Sequence, residues 1–244
     1  MITSKQNPLI KQIRSLSDKK VRDELNVFVV EGVKPVKEAI GLGLNIKQIV
    51  CTEKVRSEFE PFNVKIETID DALFDYVSEE KTPQGALAVV YKPNSPLKAP
   101  KGNCILLDGV ADPANVGAII RTAAACGFND VYMTSECADA YCQKAVRCSM
   151  SGIFRVNVMR ASISELLSVI NLPICVADMG GQNVFTAKLN SKVCLVIGNE
   201  GRGVSECVRN KADLTVSIPM QNGVESLNAA VSAGILMYAI SNQN

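Results

Sequence analysis

The residues best suited to chemistry fall in three stretches of the second half of the chain. The first is Leu107-Asp108-Gly109-Val110-Ala111-Asp112-Pro113-Ala114-Asn115-Val116-Gly117-Ala118-Ile119-Ile120-Arg121. It reads as a strand running into a turn and then a helix, with Asn115 placed to cap that helix. Gly117 and Arg121 are four apart and share one helix face, where a glycine admits another backbone or a ligand. An arginine inside an apolar helix needs a partner, and on this stretch alone a structural carboxylate is favoured over a bound anion. The second stretch is Gly198-Asn199-Glu200-Gly201-Arg202-Gly203, after a buried strand. Its glycine spacing matches neither a dinucleotide fingerprint nor a phosphate loop, yet a charged pair is unusual filler for a plain glycine turn. The third is Ile218-Pro219-Met220 followed by Ser226-Leu227-Asn228. It reads as a strand end, a turn-rich loop and a helix from about Ser226 to Ile240 with Ser226 and Asn228 in its first turn.

What is missing narrows the chemistry. The chain has nine cysteines and no histidine, which excludes triads with a histidine base, zinc hydrolases and facial-triad iron sites. The cysteine count is odd and the spacings scattered, so reduced thiols are expected. A four-cysteine zinc site from Cys126, Cys137, Cys142 and Cys148 is formally open, but no pair has the two-residue gap of a zinc knuckle, and no metal is expected. Cys104, Cys175 and Cys194 lie in apolar runs and read as small buried hydrophobes.

The frame for these side chains is an α/β fold. Of 244 residues 47% are apolar, enough to bury a substantial core and to build two unequal domains. No apolar run reaches a membrane-spanning length, and Met1–Pro8 has no signal-peptide block, so a cytoplasmic protein is expected. In the first part, a helix over Leu9–Leu16 precedes strands at Val27–Val30, Ile46–Cys51, Val64–Ile69 and Ala86–Tyr91, with a helix over Val33–Ile40. Lys92–Gly102 holds three prolines and a glycine and reads as a connecting segment. Beyond it, apolar runs at Cys104–Leu107, Val131–Met133, Ile174–Ala177 and Val193–Ile197, with a more alternating Leu214–Ile218, are separated mostly by helical patterns such as Ala118–Cys126 and Ile163–Ile170. That order implies a parallel sheet flanked by helices. In such a sheet ligands gather where strands end, which is where the three stretches lie.

Total charge is close to neutral but locally uneven. Residues 1–22 carry Lys5, Lys11, Arg14, Lys19, Lys20 and Arg22 against Asp18 alone. Such a basic helical segment fits a phosphate-contacting face as well as it fits an ordinary solvated one.

Taken in order, the three stretches resemble the motifs of the SpoU family of RNA ribose 2′-O-methyltransferases, in the SPOUT superfamily. Lys144–Phe154 is similar to the same family, and Ser4, Asn7-Pro8, Phe28-Val29 and Glu31-Gly32 resemble its N-terminal substrate-binding domain. The resemblance covers nearly the whole chain; Cys137–Cys142 is idiosyncratic. It implies an RNA-binding α/β domain over residues 1–96, a linker over 97–102, and a methyltransferase domain over 103–244 with a deep C-terminal trefoil knot. It implies S-adenosyl-L-methionine as methyl donor, held by Gly198, Asn199, Ile218, Met220 and Leu227 near the strand end at Ala177–Asp178, with no metal. Arg121 would act at the reacting ribose, as a base or as a stabiliser of the developing alkoxide. Asn115 would hold the ribose or Arg121, Glu200 would orient that arginine or the loop, and Ser226 and Asn228 would complete a polar wall. Asn7, Lys11, Lys19, Lys20 and Arg22 would meet RNA, and the protein would act as a homodimer. Ribosomal RNA is the preferred substrate, with transfer RNA, a non-catalytic ribosome-associated protein of the same fold, or a doubly wound nucleotide-binding enzyme as alternatives.

Overall fold

A computed structural model of the chain describes residues 1–189 and 192–243. Two sheets organise it. The first has four strands, β1 (Val27–Glu31), β2 (Ile46–Thr52), β3 (Ile66–Ile69) and β4 (Ala86–Tyr91), in the order β1-β4-β2-β3. β4 runs antiparallel to β1 and β2, and β3 runs parallel to β2. Alternation along β1 assigns its two faces. Val27 and Val29 pack with Ile10, Ile13 and Leu16 of α1 (Pro8–Ser15) and with Leu73, Phe74 and Val77 of α4 (Asp71–Val77). Phe28 and Val30 point the other way, onto Val36 of α3 (Val33–Gly41) and onward into the second part of the molecule.

The second sheet has six parallel strands in the order β10-β8-β9-β5-β6-β7. They are β5 (Cys104–Asp108), β6 (Asp130–Thr134), β7 (Asn157–Ala161), β8 (Ile174–Asn183), β9 (Cys194–Gly198) and β10 (Leu214–Ser217). The helices α5 (Pro113–Cys126), α6 (Gln143–Ser149), α7 (Ile163–Val169), α8 (Glu206–Arg209) and α9 (Ala229–Ser241) lie around it. From β5 the chain steps outward to β6 and β7, then crosses to β8 and returns with β9 between β8 and β5. Strand order therefore reverses beside β5 and β9, and a crevice opens beyond their carboxyl ends.

The two sheets share an apolar contact through α6. The Phe28 ring lies 5.1 Å from that of Tyr141 and 6.4 Å from that of Phe154. Gly117 makes the packing of α5 on α6 possible, since a Cβ there would sit 2.3 Å from the carbonyl oxygen of Ala145.

Four sequence expectations are corrected. Asp112, not Asn115, caps α5, its side chain accepting from the Ala114 amide at 2.9 Å; Asn115 lies one turn inside. α9 begins at Ala229 with Asn228 as its cap, so Ser226 belongs to the preceding loop. α2 (Lys19–Leu25) and β7 are present where no element was expected. Arg22 is 2% exposed, not displayed on a solvated face. Its guanidinium donates to the carbonyls of Leu16 and Ser17 and to Asp139 across the sheet boundary, so it is committed to the fold.

Candidate active site

A cavity of about 420 Å³ opens at the carboxyl ends of β8, β9 and β10, closed on one side by the start of α9. Gly198, Asn199, Ile218, Met220 and Leu227 all line it, together with Glu200, Ser226 and Asn228. Its shape follows from local irregularity. β8 pairs with β9 from Ile174 only as far as Val176, and a register shift opposite Thr215 and Val216 frees Ala177, Asp178 and Met179 to line the opening.

The glycine-rich loop is held against the end of β5. The Asn199 side chain donates to the Gly109 carbonyl at 2.8 Å and accepts from the amides of Gly201 and Arg202. Asp108 accepts from the Ser205 amide at 2.6 Å. Gly198 lies so close to the returning loop that a Cβ would sit 2.3 Å from the carbonyl carbon of Gly203. That contact is with backbone, so a larger residue would displace the loop.

One polar chain joins all three motifs. Asn228 Nδ2 donates to Asn115 Oδ1 at 3.0 Å, and Asn115 Nδ2 donates to Glu200 Oε1 at 2.8 Å. Asn228 Oδ1 meanwhile accepts from the amides of Ala230 and Val231, capping α9. Asn115 is thus the bridge between the other two motifs rather than a cap. Glu200 orients Asn115 and not Arg121. Sequence spacing could not separate these roles, because Asn115, Glu200 and Asn228 are brought together only by the sheet order.

Arg121 stands apart. It does not line this cavity but a second one, of about 530 Å³, between β1, α3, α5 and α6. It is exposed and makes no hydrogen bond or ion pair with the described residues, so the favoured structural carboxylate is not there. Behind it Gly152 packs on the helix backbone; a Cβ would fall 2.8 Å from the Arg121 Cα.

On the first sheet, Lys11, Lys19 and Lys20 are exposed. Asn7 caps α1 by accepting from the Leu9 amide at 2.9 Å. The structure adds a feature that sequence spacing concealed: Lys5 and Arg14 lie 4.4 and 4.8 Å from the Tyr76 ring centre, a basic and aromatic surface assembled across α1 and α4. Of the cysteines, burial pushes the Cys175 thiol up to about 12, as expected of an inert buried thiol, and pushes that of half-buried Cys126 up to about 11.

Residues 102–238 match the SpoU rRNA Methylase family, and residues 7–88 match the MRM3-like substrate binding domain. The chain belongs to the SpoU methylase family. The 23S rRNA (guanosine(2553)-2′-O)-methyltransferase RlmP of Bacillus subtilis is 32% identical, over 97% of this chain and 97% of that protein. The 23S rRNA (uridine(2479)-2′-O)-methyltransferase of Streptomyces viridochromogenes is 28% identical over 91% of this chain and 85% of that one. Among solved structures, the AdoMet-bound rRNA methyltransferase from Sinorhizobium meliloti superposes with a TM-score of 0.88 at 28% identity, covering 99% of this chain and 97% of that one. The SpoU fold expected from the three motifs, a small α/β unit before a parallel-sheet unit, is the fold observed. No helix among the described residues is long and apolar enough to cross a membrane.

Proposed function

We propose that this protein transfers the methyl group of S-adenosyl-L-methionine to a ribose 2′-hydroxyl of structured RNA, with 23S ribosomal RNA as its substrate in the cytoplasm. The observation that carries the reading is the division of labour between the two cavities: a pocket of small-molecule size whose Asn199, Glu200 and Asn228 are hydrogen-bonded within its wall, and a separate unpaired arginine facing open space. The pocket fits the donor. Its volume falls within the ~300–1,000 Å³ of small-molecule sites, its walls mix aliphatic side chains with backbone, and the close approach at Gly198 leaves main chain for an adenosine to lie against. When bound, the donor supplies a sulfonium-activated methyl group.

The remaining work falls to the chain. A ribose hydroxyl is a weak acid, so its proton must be drawn off or its developing negative charge stabilised. Arg121 has its whole guanidinium free for that task. An arginine side chain keeps its proton in proteins, so it serves more readily as an electrostatic stabiliser than as a base. The Glu200–Asn115–Asn228 chain holds the loop and the start of α9 in one geometry, which fixes the pocket wall before substrate arrives. Ser226 and Asn228 supply the polar rim. Lys11, Lys19 and Lys20 are placed to meet phosphates, and Asn7 to keep α1 in register for that contact.

Two further parts of the reading rest on the fold. The segment between β10 and α9 passes the β9 loop before α9 packs on α5, and we read this passage as the trefoil knot. Arg121 lies six residues beyond Asn115, about 9 Å along α5 and about 240° around it. It therefore points away from its own pocket, and a homodimer in which each copy lends Arg121 to the other completes both sites. Val231 and Tyr238, about half exposed on α9, offer apolar surface for that pairing. The test is methyl transfer from labelled donor to 23S and transfer RNA transcripts, mapped by resistance to alkaline cleavage. Ribose methylation of 23S RNA is expected. Methylation confined to transfer RNA would correct the substrate, and base methylation, or none despite donor binding, would overturn the reading.

A further inference from the structure

The cleft that holds Arg121 contains more unspent polar capacity than any other place in the described structure. Among the described residues three buried side-chain atoms lack a hydrogen-bond partner: Arg22 Nε, Glu31 Oε2 and Gln143 Oε1. Glu31 and Gln143 both line this cleft. A buried acceptor left unpaired is destabilising, so two lining one cleft call for an explanation. Gln143 is 7% exposed. Glu31 accepts from Ser78 Oγ and from the Glu79 backbone while its Oε2 has no partner, and burial raises its pKa.

The walls are tied across the cleft. Arg147 pairs with Glu80 at 2.8 Å, and Ser151 Oγ donates to Glu38, each bond joining the α6 side to the first-sheet side. The cleft is thus built open. Its lining also includes Pro35, Phe154 and Met150, the last 62% exposed, which present apolar surface to a flat ring. A ligand that fits this set is planar, brings at least one N–H donor to these acceptors, and carries an oxygen-rich portion to a free guanidinium.

We propose that the cleft receives the base of the target nucleotide, and that Glu31 selects bases bearing an imino N–H, guanine or uracil, over adenine and cytosine, with Gln143 beside it able to accept or donate. Guanine N1–H and uracil N3–H each sit in the middle of the pairing edge, where a carboxylate accepts them; adenine and cytosine present an unprotonated ring nitrogen there and meet the carboxylate with repulsion. Well-formed contacts of this kind discriminate by about ten-fold or more. The proposal rests on Arg121 reaching the ribose of the same nucleotide.

Its test has two independent arms. In the first, the methionine methyl groups are labelled with carbon-13, Met150 is assigned through Met150→Leu, and the protein is titrated with GMP, UMP, AMP and CMP. GMP and UMP are expected to shift Met150 at concentrations about ten-fold or more below AMP and CMP, and Glu31→Gln is expected to erase the difference. No shift with any nucleotide, equal shifts with all four, or unchanged selectivity in Glu31→Gln overturns the proposal. In the second arm the methylated nucleotide is mapped: guanosine or uridine supports the proposal, and adenosine or cytidine overturns it. If no RNA is methylated, the methyltransferase reading falls while the titration still decides what the cleft binds.

Discussion

The two cavities are built on opposite principles. Around the first cavity, the proposed donor pocket, Asn115 bridges Glu200 and Asn228, and Asn199 ties the glycine loop to β5, so these polar groups are spoken for. Around the cleft, Arg121 has no partner among the described residues, and Glu31 and Gln143 keep buried oxygens unpaired. A satisfied network holds one geometry and suits a small, constant ligand that must be positioned the same way each time. An unsatisfied one is stabilised only when its ligand arrives, and that suits a substrate the protein must choose. The contrast teaches that the polar residues of one motif serve different sites, since Asn115 and Arg121 share a helix but not a cavity.

The sharpest way to break the contrast is Gly198→Ala. The added methyl group would lie against the backbone of Gly203 and Val204, so donor affinity should fall below detection by calorimetry while the nucleotide-induced shift at Met150 persists. Loss of both would mean the cavities are one site. Arg22→Ala comes next. It leaves Asp139 without its cation at the sheet boundary, and breaking such a buried pair costs about 3–5 kcal/mol. The urea midpoint should drop accordingly, whereas replacing exposed Lys19, partnered with Asp23 on one face of α2, should leave it nearly unmoved.

Asn115→Ala is expected to act more gently. It removes two hydrogen bonds and leaves Glu200 with only a long 3.5 Å contact from the Ala111 amide. Turnover should fall about 10–100-fold, in keeping with about 1.5–3 kcal/mol for a bond to a charged group, with little change in RNA affinity. The smallest effects belong to the surface lysines. Charge reversal at Lys11, Lys19 and Lys20 should lower RNA affinity and flatten its salt dependence, by about 0.9 or less in the log–log slope for each phosphate that is no longer neutralised. Donor affinity should not change. An unaltered slope would return this face to the status of ordinary solvated surface.

Much of this architecture was legible in the sequence, because burial writes a periodic signal. β1, β2 and β4 alternate or run apolar as strands covered on both faces must, and the parallel strands appear as continuous apolar runs. The strand β7, Asn157-Val158-Met159-Arg160-Ala161, carries only two deeply buried side chains at the sheet edge, too short a signal to stand out. α2 was hidden because its one fully buried residue is Arg22, whose type announces a surface. Every residue expected to hold the donor lines the first cavity, since a glycine loop and a strand end mark themselves locally. The position of Arg121 was not legible. Its distance from Glu200 depends on how α5 is turned about its axis, and Gly117 and Gly152 set that packing from segments far apart in the chain. Glu31 and Gln143 were missed as a pair for the same reason: they meet only where the two sheets do.

The separation of binding from chemistry is tested most directly by Arg121→Ala, measured at once for donor affinity by calorimetry and for ribose methylation of 23S RNA under saturating donor. Removing a donor that stabilises a developing oxyanion typically lowers turnover about 10²–10³-fold, and a loss of that size with donor affinity unchanged is the expected result. Near-normal methylation by Arg121→Ala would contradict the account, and so would a parallel loss of donor binding.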